Sequence, residues 1–178
     1  MLNNNFLSVI LLFLLTITAF ACQQKEQPKA QSQPPVSQIQ LQNDLKNLQD
    51  VVQKDPKNLK VWIEMGNILM DMSRFNEAID AYQKALSLDP KNVDVRVDMG
   101  TCYRNIGKPD IAINEFQKAI EIDPNHGMAH RNMGVVLASD VRDNAKAVKE
   151  LEKYLQLTPN AADADTIRGE IQRLKAAK

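Results

Sequence analysis

The chain has little of what most chemistry requires. Its 178 residues hold two cysteines, two histidines and one tryptophan. So few cysteines exclude a disulfide-rich scaffold. Net charge is missing as well: Lys plus Arg and Asp plus Glu each number 22, and none of them precedes Lys25. That balance excludes nucleic-acid binding driven by bulk electrostatics. No glycine-rich phosphate loop, nucleophile elbow or paired active-site carboxylate with a base can be assembled from the residues present. An enzyme is therefore not expected, and neither is a cofactor.

What is present begins with a leader. Phe6 to Ala21 are almost continuously apolar and end in Ala19-Phe20-Ala21-Cys22, after which the chain turns to Gln, Lys and Pro. This is the pattern of an export segment with a small-residue cleavage site, which sets 1–21 apart from the folded domain. The small residues at 19 and 21 directly before Cys22 resemble the lipobox of bacterial lipoproteins. That resemblance implies lipidation of Cys22 and a membrane-anchored protein of the bacterial cell envelope, facing the periplasm or the exterior. The alternative is an uncleaved N-terminal helix as anchor, although the apolar run is short of the ~20 residues of a comfortable span. With Cys22 acylated, Cys102 has no partner and reads as a small buried core residue. Residues 22–37 are rich in Gln and Pro and have no apolar periodicity. They are expected to form a disordered tether, reaching ~3 Å per residue when extended.

Beyond the tether the chain repeats itself. Met65-Gly66, Met99-Gly100 and Met133-Gly134 follow one another at intervals of 34 residues, as do Asp89-Pro90 and Asp123-Pro124. Unit one reads Trp62, Met65, Gly66, Leu69, then Ala78, Tyr82, Ala85 and Pro90. Unit two reads Arg96, Met99, Gly100, Tyr103, then Ala112, Phe116, Ala119 and Pro124. Unit three starts at His130, Met133, Gly134 and Leu137 and ends at Ala147, Leu151, Tyr154 and Pro159, one residue longer, with the insertion between Ser139 and Asn144. This pattern resembles the tetratricopeptide repeat family. A glycine costs a helix ~1 kcal/mol, which is worthwhile where two helices cross closely. Ala78, Ala112 and Ala147 offer the small surface opposite, and the prolines stop each second helix.

Upstream, Ile39, Leu41, Leu45, Leu48, Val51 and Val52 fall mainly on one helical face and lead into Asp55-Pro56. Downstream, Ala164, Ile167, Ile171 and Leu174 form an amphipathic stripe suited to closing a solenoid end. The expected fold is all-α, a tetratricopeptide-like right-handed α-solenoid of about three helix-turn-helix repeats between capping helices. The boundaries read as 38–58 for the N-terminal cap, 59–92, 93–126 and 127–161 for the repeats, and 162–178 for the C-terminal cap.

His126 and His130 stand four apart, a spacing that puts two imidazoles on one helical face. They lack the intervening Glu of a metalloprotease and any neighbouring Cys, so a metal site is not expected. Met65, Met99 and Met133 occupy the repeat's usual Leu position and read as core.

In the family resembled, the first helix of each pair lines a concave groove. By position this implies groove side chains Lys60, Ile63, Glu64, Asn67, Met70 and Asp71 from unit one. Unit two gives Asp94, Val97, Asp98, Thr101, Arg104 and Asn105; unit three gives Met128, Arg131, Asn132, Val135, Ala138 and Ser139. Facing away from the pair's own core, these residues are expected to be free for a partner. Members that bind chaperone tails use a carboxylate clamp of Lys, Asn, Asn, Lys and Arg. Here those positions carry Ile63, Asn67, Asp98, Met128 and Asn132, and only Asn67 agrees. The implied function is a non-enzymatic interaction scaffold in the bacterial envelope, binding a peptide or helix of a partner protein and aiding assembly of an envelope complex. A self-associating structural array is the alternative, with a metal-binding protein or hydrolase behind it.

Overall fold

The computed structural model describes residues 37–177; the export segment, Cys22 and residues 22–36 of the tether lie outside them. Among the described residues there are eight α-helices and no strand. They are α1 (Gln38–Lys54), α2 (Leu59–Asp71), α3 (Phe75–Leu88), α4 (Val93–Asn105), α5 (Pro109–Ile122), α6 (Gly127–Val136), α7 (Asn144–Leu157) and α8 (Ala164–Ala176). A five-residue π-helical segment, Leu137–Val141, extends α6. Each helix packs chiefly on its neighbours in sequence, and α4 also meets α6. The result is three helical pairs, α2/α3, α4/α5 and α6/α7, with α1 before them and α8 after. None of the described helices is long and apolar enough to cross a membrane.

The boundaries between pairs are written in polar side chains. Asp55, Asp89 and Asp123 each accept a bond from the backbone N–H two residues on, at 3.3, 3.2 and 2.9 Å. These Asx turns lead the chain around the prolines that follow. Three residues further, Asn58, Asn92 and His126 cap α2, α4 and α6 by accepting from the N–H of Val61, Val95 and Ala129. Each cap satisfies a backbone donor that the first helical turn leaves without a partner. His126 does this through Nδ1, so it replaces an asparagine amide with a ring nitrogen.

Within each pair, the turn is closed by a longer backbone bond. The Leu69 and Tyr103 carbonyls accept from Arg74 and Lys108, five residues on, at 2.8 and 2.9 Å. The chain passes through left-handed conformations at Ser73 and Gly107, with φ of 59° and 73°. In the third pair the Leu137 carbonyl accepts from Asp143, six residues on, at 2.9 Å, and the left-handed residue is Arg142. The inserted residue is therefore absorbed as a π-helical bulge, and the closing bond is kept.

Packing follows from the glycines. A Cβ at Gly66 would collide with the Tyr82 ring; at Gly100 it would stand 2.6 Å from Phe116, and at Gly134 2.7 Å from Leu151. Ala78, Ala112 and Ala147 are fully buried beside them. Two apolar clusters result. One runs from Leu45 on α1 through Met65 and Tyr82 to Met99 and Cys102; the other runs from Val97 through Phe116 and Met133 to Leu174 on α8. The division falls within α4, whose Val95, Met99 and Cys102 face back while Val97 faces forward.

Candidate partner-binding groove

The first helices α2, α4 and α6 carry the side chains that sequence assigns to the concave face. Lys60, Glu64, Asn67, Asp71, Asp94 and Asn105 are exposed, whereas Ile63, Met70, Asp98, Thr101, Arg104, Arg131 and Asn132 are half-buried. Val97 is a correction: at 4% exposure it lies in the second core cluster and is not available to a partner. Ala138 is buried in the same cluster. Both face away from their own pair, as expected, but an array has a next unit, and that unit covers them.

Hydrogen bonds further sort the groove. The Asn67 carbonyl accepts from the buried Tyr82 hydroxyl at 2.8 Å, which fixes the amide and leaves its NH2 uncommitted. Asn132 spends its NH2 on Thr101 at 3.3 Å and accepts from Arg131, while Asn105 donates to the Thr101 carbonyl at 2.9 Å. Arg104 pairs with Asp140 at 2.7 Å across 36 residues of sequence. Arg131 pairs with Asp163 at 2.6 Å, and Asp163 also accepts from Tyr154 at 2.6 Å. The Tyr154 bond, followed by that from Arg131, holds the Asp163 carboxyl below the usual carboxylate range. His126 reaches across to Asp94 at 2.9 Å through Nε2.

The centre of the face is electronegative. Burial, followed by the charge of Asp94, pushes the Asp98 carboxyl up to about 6, against a smaller opposing effect of His126. Burial, then the same Asp98 charge, pushes the Cys102 thiol up to about 12 and raises Tyr82 as well, where Asp71 adds to the effect. Cys102 is fully buried and inert in this setting.

The two histidines are structural in their bonding. His130 is buried, with Nδ1 2.7 Å from Glu150 and Nε2 3.0 Å from the Pro124 carbonyl. Its counterparts by repeat position do the same job. Trp62 donates to the Pro56 carbonyl at 2.9 Å, and Arg96 donates to Pro90 at 2.9 Å while pairing with buried Glu115 at 2.8 Å. Ala81 occupies the position of Glu115 and Glu150 in the first unit, where the bulk of Trp62 needs no acid opposite. Sequence reading missed this recurring clasp, although the spacing of Trp62, Arg96 and His130 contains it. Among the described residues no group of three or more His, Cys, Asp or Glu side chains gathers as a metal site.

Comparison with known proteins agrees with this architecture. The tetratricopeptide repeat profile matches residues 59–92, and a second profile of the same description matches residues 81–114. No curated protein sequence matches the chain. Among solved structures, the crystal structure of MamA is similar with a TM-score of 0.70 and 23% identity, over 77% of this chain and 80% of that one. The first TPR domain of Spaghetti (RPAP3), bound to the HSP90 peptide SRMEEVD, has a TM-score of 0.62 and 24% identity over 69% and 94% of the two chains. The Arabidopsis OM64 TPR domain gives 0.60 and 22% over 65% and 94%. At such identities the likeness is one of fold. The chain thus carries tetratricopeptide repeats, and its described residues fold as a tetratricopeptide solenoid.

Proposed function

We propose that this chain is a non-enzymatic scaffold that holds an extended segment or helix of another protein in its concave groove. The observation that carries the reading is the row Lys60, Glu64, Asn67 and Asp71 on α2, exposed among the described residues. Its amide and charged groups suit main-chain bonding and charge matching. The Spaghetti domain holds a peptide containing Glu and Asp. Here Ile63, Asp98 and Met128 stand where the tail-binding members carry cations or an amide, so chaperone tails are not the expected cargo. Tethering by a lipidated Cys22 in a bacterial envelope, with a role in assembling an envelope complex, completes the proposal.

A photo-crosslinking residue at position 67 should capture a partner in cells, and one at Lys84 on α3 should not. Capture at 84 alone would remove the groove from consideration. Labelled palmitate should enter the wild-type chain and not Cys22→Ser. Self-association is a second reading, favoured by Ile39 on α1, which is 76% exposed. Light scattering tests it: a monomer at all concentrations rules it out.

A further inference from the structure

The groove's charges differ in whether the protein has already used them. Arg104 and Arg131 are held by Asp140 and Asp163. Glu64, Asp71 and Asp98 enter no ion pair among the described residues, and Asp94 meets only His126. Against these four carboxylates, Lys60 is the groove cation without an ion pair among the described residues. A concave surface lined by one sign of charge focuses the field and draws the opposite sign. At Asp98, burial first and the Asp94 charge second resist ionisation.

Beside these carboxylates lies an apolar recess. A cavity of about 450 Å³ is lined by Leu59, Lys60, Ile63, Glu64 and Asn67. Leu59 and Ile63 are its apolar lining and are half-buried. Asn67 also lines it, its carbonyl held by Tyr82 and its NH2 uncommitted among the described residues.

Resting on the groove reading above, we infer that the α2–α4 half of the face takes an extended protein segment bearing Lys or Arg beside an apolar side chain. The apolar side chain fills the Leu59–Ile63 recess, the main-chain carbonyl accepts from Asn67, and the cation lies against Glu64, Asp71 and Asp98. An acidic segment is repelled by the same carboxylates, which gives selectivity as well as attraction.

The test uses the full chain and a peptide library with a fixed leucine flanked by either lysines or glutamates, read by fluorescence anisotropy. Lysine peptides should bind at least about tenfold tighter than glutamate peptides, and the preference should shrink with added salt. The double variant Glu64→Gln/Asp71→Asn should weaken the lysine peptides about tenfold, while Glu121→Gln on α5 leaves them unchanged. Circular dichroism shows whether each variant keeps its helices. If peptides of both signs bind equally and Ile63→Ala weakens both, the groove reading stands and the charge inference is overturned. If Ile63→Ala and Asn67→Ala affect no peptide, the groove reading falls and this inference with it.

Discussion

The two halves of the concave face are cut from one repeat and end up with opposite habits. In the α2–α4 half, Glu64, Asp71 and Asp98 stand without an ion pair among the described residues, and Asn67 keeps its NH2 uncommitted among them. In the α6–α8 half, Arg131 is tied to Asp163 and both functional ends of Asn132 are taken. Equivalent backbone positions carry Ile63, Val97 and Arg131 in turn, and likewise Glu64, Asp98 and Asn132. The repeat thus dictates where a side chain is displayed, and the next unit along decides whether it is still available. For Arg131 the next unit is the closing helix, entered through Asp163.

The largest way to break the contrast is to strike the first half's floor. Gly66→Ala drives a methyl group into Tyr82, whose hydroxyl positions Asn67. A loss of about 2–3 kcal/mol is expected, read by thermal or urea denaturation. Second comes Asp163→Ala, which removes the acceptor of both Arg131 and Tyr154 and should cost about 2 kcal/mol at neutral pH. Because Asp163 is held below its ordinary range, its contribution is present above that range and disappears as pH falls through its folded value. The variant should lack that acid-limb slope, and its released Arg131 should let the second half accept anionic peptides.

Asp98→Asn acts in the other direction. A carboxyl raised from its ordinary range to about 6 binds more protons folded than unfolded between those values, so wild-type stability falls as pH rises through that window. The variant should be more stable than wild type at pH 7.5 by about 1 kcal/mol, and the difference should vanish near pH 4. Melting curves across that range decide it. Smallest is Arg142→Gly, which relieves a left-handed conformation and should add a few tenths of a kcal/mol. Gly107→Ala, at the matching turn, should lower stability by a similar amount.

Much of this was legible in spacing. The 34-residue interval locates the pairs, the crossing glycines and the turn that absorbs the extra residue. The exposure of Glu64, Asn67 and Asp71 on α2 and of Asp94 on α4 follows from their place on the outward face of each first helix. Val97 and Ala138 were not legible, because positions that face away from one pair face the next, a relation beyond a single unit's periodicity. Nor were the pairings of Arg104 with Asp140 and Arg131 with Asp163, which join residues 36 and 32 apart whose meeting depends on the stacking of units. The π-helical form of the insertion was also hidden: sequence shows that a residue is added, while backbone hydrogen bonding decides how it is housed.

The clasp on the prolyl carbonyls has a consequence for how such arrays are reshaped. The side-chain pairs Arg96–Glu115 and His130–Glu150 each lie wholly inside one unit, as do Trp62 and the Ala81 that stands at the acid's position. Each unit brings both members of its own side-chain pair and takes the prolyl carbonyl from the turn that precedes it. Duplicating or excising a whole unit therefore leaves no buried acid or base stranded, whereas a junction placed between the two helices of a pair does. The natural seams for lengthening this protein, in the laboratory or in descent, are its Asp-Pro turns.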